Sequence, residues 1–109
     1  MTRPVIRREL ADRDADAAIR HYRAEAGVNV AIDFVAALNA AYASIASQPS
    51  LGSPRYGEEL GLPGLRHWPL KRFPHLVFYV ERPDHIEVWR ILHGHRDVRT
   101  AIQEEPEPQ

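Results

Sequence analysis

The chain contains no cysteine, one methionine and one lysine in 109 residues. Without cysteine, neither a disulfide framework nor a thiolate metal site can form, which fits a reducing compartment. The single lysine, Lys71, and the net charge of −1 argue against the broad cationic surface of a duplex-DNA binder. No apolar run approaches the roughly 20 residues needed to cross a bilayer. The first residues, Met1 to Glu9, lack the apolar core of a signal peptide. A cytoplasmic protein is therefore expected. So short a chain has room for one core, so a single domain is expected over residues 1–105, with residues 106–109 as a frayed tail.

Charge is unevenly placed. Residues 1–65 carry 7 basic and 8 acidic side chains, whereas residues 66–101 carry 7 basic and 4 acidic ones and five of the six histidines. Glu104, Glu105 and Glu107 then make the tail acidic. The second half presents a modest positive surface that could favour an anionic partner.

Hydrophobic spacing predicts the elements. Val5 and Ile6 favour a first edge strand within Pro4 to Glu9. Ala11, Ala15, Ala18, Ile19 and Tyr22 recur at helical spacing, so Asp12 to Ala26 reads as a helix, with Asp12, Asp14 and Asp16 in its first turn and Gly27 as its stop. A second helix follows, with Asn29 as N-cap. Its stripe is Ala31, Phe34, Val35, Leu38, Ala41, Tyr42 and Ile45, and Pro49 ends it. The short link makes the two an antiparallel hairpin. Gln48 to Gly64, rich in proline and glycine, reads as loop. Leu65 to Leu70, Phe73 to Val80 and His85 to Leu92 read as three strands, the last two joined by the turn Glu81 to Asp84. Asp97 to Glu105 reads as a short terminal helix with Asp97 as N-cap. The order β-α-α-β-β-β-α makes an α+β two-layer sandwich, with the helix hairpin across a small, mostly antiparallel sheet.

Chemistry concentrates in Ile91-Leu92-His93-Gly94-His95-Arg96-Asp97, at a strand end. Histidine exchanges protons near neutral pH, and an adjacent arginine can hold a phosphate or stabilise a phosphorane. The plainer reading packs His93 at the sheet end and uses Asp97 as a helix cap. Arg66 can pair with a phosphate or carboxylate, or be a solvated strand residue. Lys71 and Arg72 sit at the turn between the second and third strands. They join Arg66 and Arg96 in one cluster if the strand ends converge, and are otherwise a polar turn. Trp68 and Trp89 could stack on bases, although strand tryptophans more often pack in sheets. His93-x-His95 supplies two ligands on one strand face, too few for a metal site. Neither metal nor cofactor is expected.

Taken in order, Ala11-Asp12, Ile19-x-x-Tyr22, Phe34-x-x-x-Leu38, Pro49-x-x-Gly52, Pro63-Gly64-Leu65-Arg66, Val77-Phe78-Tyr79 and Ile91 to Asp97 resemble the ParE/RelE superfamily of toxins from bacterial type II toxin–antitoxin systems. The ParE-like branch is the nearer. The likeness runs over about residues 3–103. It implies the same β-α-α-β-β-β-α fold and a growth-inhibiting toxin held silent by a cognate antitoxin. It implies DNA gyrase as the target for ParE-like members, and ribosome-dependent mRNA cleavage for RelE-like members. The scarcity of basic charge leans toward the former. On that reading Arg66, Arg72, His93, Arg96 and Asp97 form the target-binding surface. On the RelE-like reading Arg66, Arg72, His93 and His95 are catalytic. A third reading is a non-toxic domain that keeps only antitoxin binding. The resemblance further implies that operator DNA is contacted only through the antitoxin, that no membrane is involved, and that the antitoxin covers the outer face of the helix hairpin and a free sheet edge.

Overall fold

The computed structural model describes residues 2–94 and 98–103. The elements are β1 (Val5–Arg7), α1 (Glu9–Ala26), α2 (Val28–Ser47), a 3-10 turn (Pro49–Leu51), α3 (Arg55–Leu60), β2 (Leu65–Pro69), β3 (His75–Glu81), β4 (Ile86–His93) and α4 (Val98–Gln103). The sheet order is β1-β4-β3-β2. β1 lies parallel to β4, and the other two pairings are antiparallel. This is the expected α+β architecture.

Side-chain alternation in the strands creates two cores. Val77, Tyr79, Ile86, Val88 and Ile91 face α1 and α2, where they meet Ala11, Phe34, Leu38 and Ile45. Leu65, Phe78, Val80 and Trp89 face the other way and are covered by Val98 and Ile102 of α4, with Tyr56 and Leu60 of α3 beside them. The outer sheet face therefore carries a second, smaller apolar layer.

Local chemistry moves several boundaries. α1 begins at Glu9, not Asp12, with Arg8 as its cap residue. Glu9 holds Arg13 at 2.5 Å across the first turn, and Asp12 accepts from Arg7 Nε at 2.7 Å instead of capping. Gly27, at φ +99°, both ends α1 and caps α2, so Asn29 lies inside the second helix. The positive φ is where an L side chain is strained and glycine is not. Val35, expected in the buried stripe, is 36% exposed.

The segment read as loop contains α3. Its prolines and glycines hide it in the sequence, yet Gly57 is there for packing. A Cβ at that position would lie 2.5 Å from the Leu65 carbonyl oxygen and 2.9 Å from that of Leu62. α2 also corrects an expectation. It is 20 residues long with mean hydropathy 1.5, enough by length and composition to cross a bilayer. Here Phe34, Leu38, Ala41 and Ile45 turn that apolarity onto the sheet.

A register shift at Phe78/Tyr79 lets β4 carry one extra residue, so Phe78 pairs with Arg90 and Tyr79 with Val88. A bulge of this kind disturbs the ladder and re-aims side chains. Asp14 of α1 engages β4 just past the bulge. Its carboxylate accepts from Arg90 Nε at 2.8 Å, Arg90 Nη2 at 3.0 Å and the Ile91 backbone N–H at 3.0 Å. Both side chains are about 15% exposed, and Arg90 also donates to the Ala101 carbonyl of α4 at 3.3 Å. Removing one partner of so sheltered a pair strands the other charge. Asp14→Ala should therefore cost about 3 kcal/mol in chemical denaturation, and the conservative Asp14→Glu should not recover it.

Candidate functional site

The topology divides the expected site residues between two ends of the sheet. Arg66 is the second residue of β2, opposite Tyr79. Its Nη1 donates to the Gly52 carbonyl at 2.7 Å, while Tyr79 Oη donates to the Pro49 carbonyl at 2.5 Å. Arg66 and Tyr79 thus fasten the segment that follows α2. Burial raises the Tyr79 phenol above its usual range, and the Gly52 backbone and Arg66 oppose that rise in part. The guanidinium read as a free anion ligand is engaged in holding backbone, because an unpaired Gly52 carbonyl in this half-buried place would be costly.

Arg72 and His93 lie at the opposite end. The β2–β3 turn, Leu70 to Pro74, is closed by the Leu70 N–H donating to the His75 carbonyl at 3.0 Å. His75 pairs across the sheet with His93. The sequence cluster is therefore split: Arg72 and His93 share a sheet end, and Arg66 does not join them. His95, Arg96 and Asp97 lie outside the described residues, so Asp97 as cap and Arg96 as part of the surface stay expectations.

His93 does gain neighbours that sequence spacing does not reveal. A cleft of about 500 Å³ runs between α1 and α4, with Asp14, His21, Tyr22, His75 and His93 among its lining. The His75 and His93 rings are 5.4 Å apart, edge to face, and His75 also meets Tyr22 at 5.9 Å and Phe34 at 5.0 Å. His75 is buried. The hint in the sequence was the alternation of β3 and β4, which puts His75 and His93 in register only once the bulge is allowed for.

Arg72 stands apart in its backbone. At φ +71° it is the only non-glycine residue in the left-handed region among those described. That conformation costs an L residue about 1 kcal/mol. Its guanidinium is 78% exposed and reaches Asp33 only at 3.9 Å.

The tryptophans serve packing. Trp89 is 2% exposed. Its Nε1 donates to Glu87 Oε1 at 2.9 Å, and the Arg8 guanidinium lies 4.1 Å from the ring centroid. Burial pushes the Glu87 carboxyl up, but Trp89, Arg82 and Arg8 outweigh it and hold the group below the usual range. Trp68 is half-buried beside the α1–α2 core.

Two comparisons bear on this geometry. The family model described as "ParE toxin of type II toxin-antitoxin system, parDE" matches residues 5–98. That span takes in every strand and both long helices. A solved structure described as the chromosomal ParDE TA system from P. aeruginosa superposes with a TM-score of 0.71 at 21% identity. It covers 84% of this chain and 96% of that one. The fold is thus that of the ParDE toxin structure, and the chain belongs to the ParE toxin family of type II toxin–antitoxin systems. No curated protein matches the sequence.

His67 gives a measurable property of this region. Its ring lies between Tyr56 at 5.2 Å and Phe78 at 5.6 Å, and its Nδ1 is buried without a hydrogen-bond partner among the described residues. Burial, and then the charge of Arg55, lower its pKa from the ordinary 6.5. As pH falls below that ordinary value, the unfolded chain takes up a proton that the folded chain resists, so stability declines until the lowered folded pKa is passed. His67→Phe should show a shallower loss of stability between neutral and mildly acidic pH. Parallel urea titrations of both proteins check this, and an unchanged slope would refute it.

Proposed function

We propose that this chain is a toxin that acts by binding a protein target, DNA gyrase, and that a cognate antitoxin neutralises it in the bacterial cytoplasm. The observation that carries this reading is family membership joined to a surface poor in basic charge. A ribosome-docking nuclease needs an extended cationic face, whereas this chain has one lysine and a net charge of −1. Arg66, a catalytic candidate on the nuclease reading, is held by the Gly52 carbonyl. Arg72, His93, Arg96 and Asp97 remain the proposed effector surface, with Arg66 in a supporting role.

One observation favours a second reading, a RelE-like mRNA endonuclease. It is the placing of two imidazoles, His75 and His93, 5.4 Å apart beside the α1–α4 cleft, imidazole being the side chain most used for acid–base chemistry. On that reading His93 is acid or base, with Arg72 at the phosphate.

The antitoxin is proposed to cover the outer face of the helix hairpin. Val28, Ile32 and Val35 are 56%, 59% and 36% exposed there. With Ile19 and Arg23 they line a shallow groove of about 500 Å³. An apolar stripe at helical spacing suits an amphipathic segment that folds on binding. The sheet edge available to such a segment is β1. On β2 the outward Leu65 N–H donates to Leu62, His67 exchanges both backbone bonds with Ser53 at 3.0 Å, and Pro69 has no N–H. On β1 the bonds of Pro4 and Arg8 to β4 leave the backbone groups of Val5 and Arg7 pointing outward.

Two measurements test these proposals. Purified toxin should inhibit gyrase supercoiling at micromolar concentration, and induction of the chain alone should give filamentous cells with intact transcripts. New mRNA 5′ ends within translated codons would establish the nuclease reading instead. Ile32→Glu should leave folding and toxicity intact but abolish rescue by the antitoxin. Full rescue of that variant would rule out the hairpin face as the docking surface.

A further inference from the structure

The β2–β3 turn and the flank of α2 beside it enclose a small notch of about 250 Å³. Its walls include Trp68 and Phe73, both half-buried, and its rim carries Lys71 and Arg72, both exposed. Ala40, exposed on α2, forms part of the floor. The notch lies on the flank of α2 away from Val28, Ile32 and Val35, the two surfaces meeting at Ala36.

Charge decides what this notch can take. Asp33 is the only acidic residue among its lining, and its 3.9 Å link to Arg72 is long, exposed and weakened by solvent. Lys71 has no ion pair or hydrogen bond among the described residues. Two cations thus face one acid. The turn also keeps the guanidinium outward at a cost in backbone conformation, since Arg72 occupies a left-handed position that glycine or asparagine would fill with less strain. An added strand is excluded here, because Pro69 lacks a donor and the β2 edge is already occupied at His67. A nucleic-acid backbone would call for a row of cations and not an isolated pair. What remains is a short side-chain contact. It joins an apolar group against Trp68 to carboxylates on Lys71 and Arg72.

The geometry points to this notch as the place where the toxin engages an acidic segment of its protein target. The inference rests on the reading of the chain as a protein-binding toxin and adds the chemistry of the bound segment. Arg72 is its selective element through bidentate pairing with a carboxylate. Asp33 tempers the site.

The test uses the full chain and a short fluorescein-labelled poly-glutamate peptide carrying a central leucine, followed by fluorescence anisotropy at low and physiological salt. Saturable binding is expected. Arg72→Gly should weaken it about tenfold with no fall in melting temperature, because glycine relaxes the turn while deleting the guanidinium. Lys71→Glu should abolish binding. Asp33→Asn should tighten it, and Ile32→Glu, on the other flank of α2, should leave it unchanged. Absence of saturable binding, equal binding by Arg72→Gly, or stronger binding of a single-stranded RNA of equal length would each overturn the proposal. A supercoiling assay keeps the two readings separate. If the native chain does not inhibit gyrase, the proposed target is wrong, while the peptide titration still decides the notch.

Discussion

The carboxylate of Asp14 organises this fold. One side chain on α1 accepts three hydrogen bonds from β4, two from Arg90 and one from the backbone of Ile91. Arg90 extends the link to the last turn of α4. The bulge in β4 turns Arg90 away from strict alternation, and β1, which ends at Arg7, leaves the Ile91 N–H open to the carboxylate. The layer of α1 and α2, the sheet and the terminal helix are thereby indexed to one point. Apolar burial supplies most of the driving force for collapse and is non-directional. A charged pair with three directed bonds adds a fixed point of contact between the layers.

That registration determines where chemistry can gather. Because α1 is held over β4, His21 and Tyr22 come beside His75 and His93, and the α1–α4 cleft acquires its imidazole lining. The β2–β3 turn projects from the same end. The opposite end is given to anchoring, with Arg66 and Tyr79 binding the carbonyls of Gly52 and Pro49. The molecule thus has a histidine-lined end and an anchoring end, although the basic residues of both look alike in the sequence.

Much of the architecture was legible beforehand, and the exceptions have physical causes. The alanine and aromatic stripes of α1 and α2 announce helices because each repeats over several turns. The strands of residues 65–93 announce themselves by β-branched alternation. α3 was hidden because Gly57 and Gly61 signal a loop, and only the close approach of Gly57 to the Leu62 and Leu65 carbonyls explains a glycine inside a helix there. The start of α1 was misplaced because three aspartates looked like competing caps, whereas Asp12 and Asp14 bind arginines from β1 and β4. The basic cluster could not be resolved from sequence at all. Arg66 and Arg72 are six positions apart, and only the direction of β2 tells which end of the sheet each occupies.

The two sheet margins differ in a way that bears on how the protein behaves when its partner is scarce. β2 is sealed by Ser53 and Pro69, and β1 offers only three residues flanked by Arg3, Pro4 and Arg8. Short, charged and proline-bordered margins are poor templates for another copy of the same sheet. Neither margin therefore favours edge-to-edge stacking of one copy of this sheet on another.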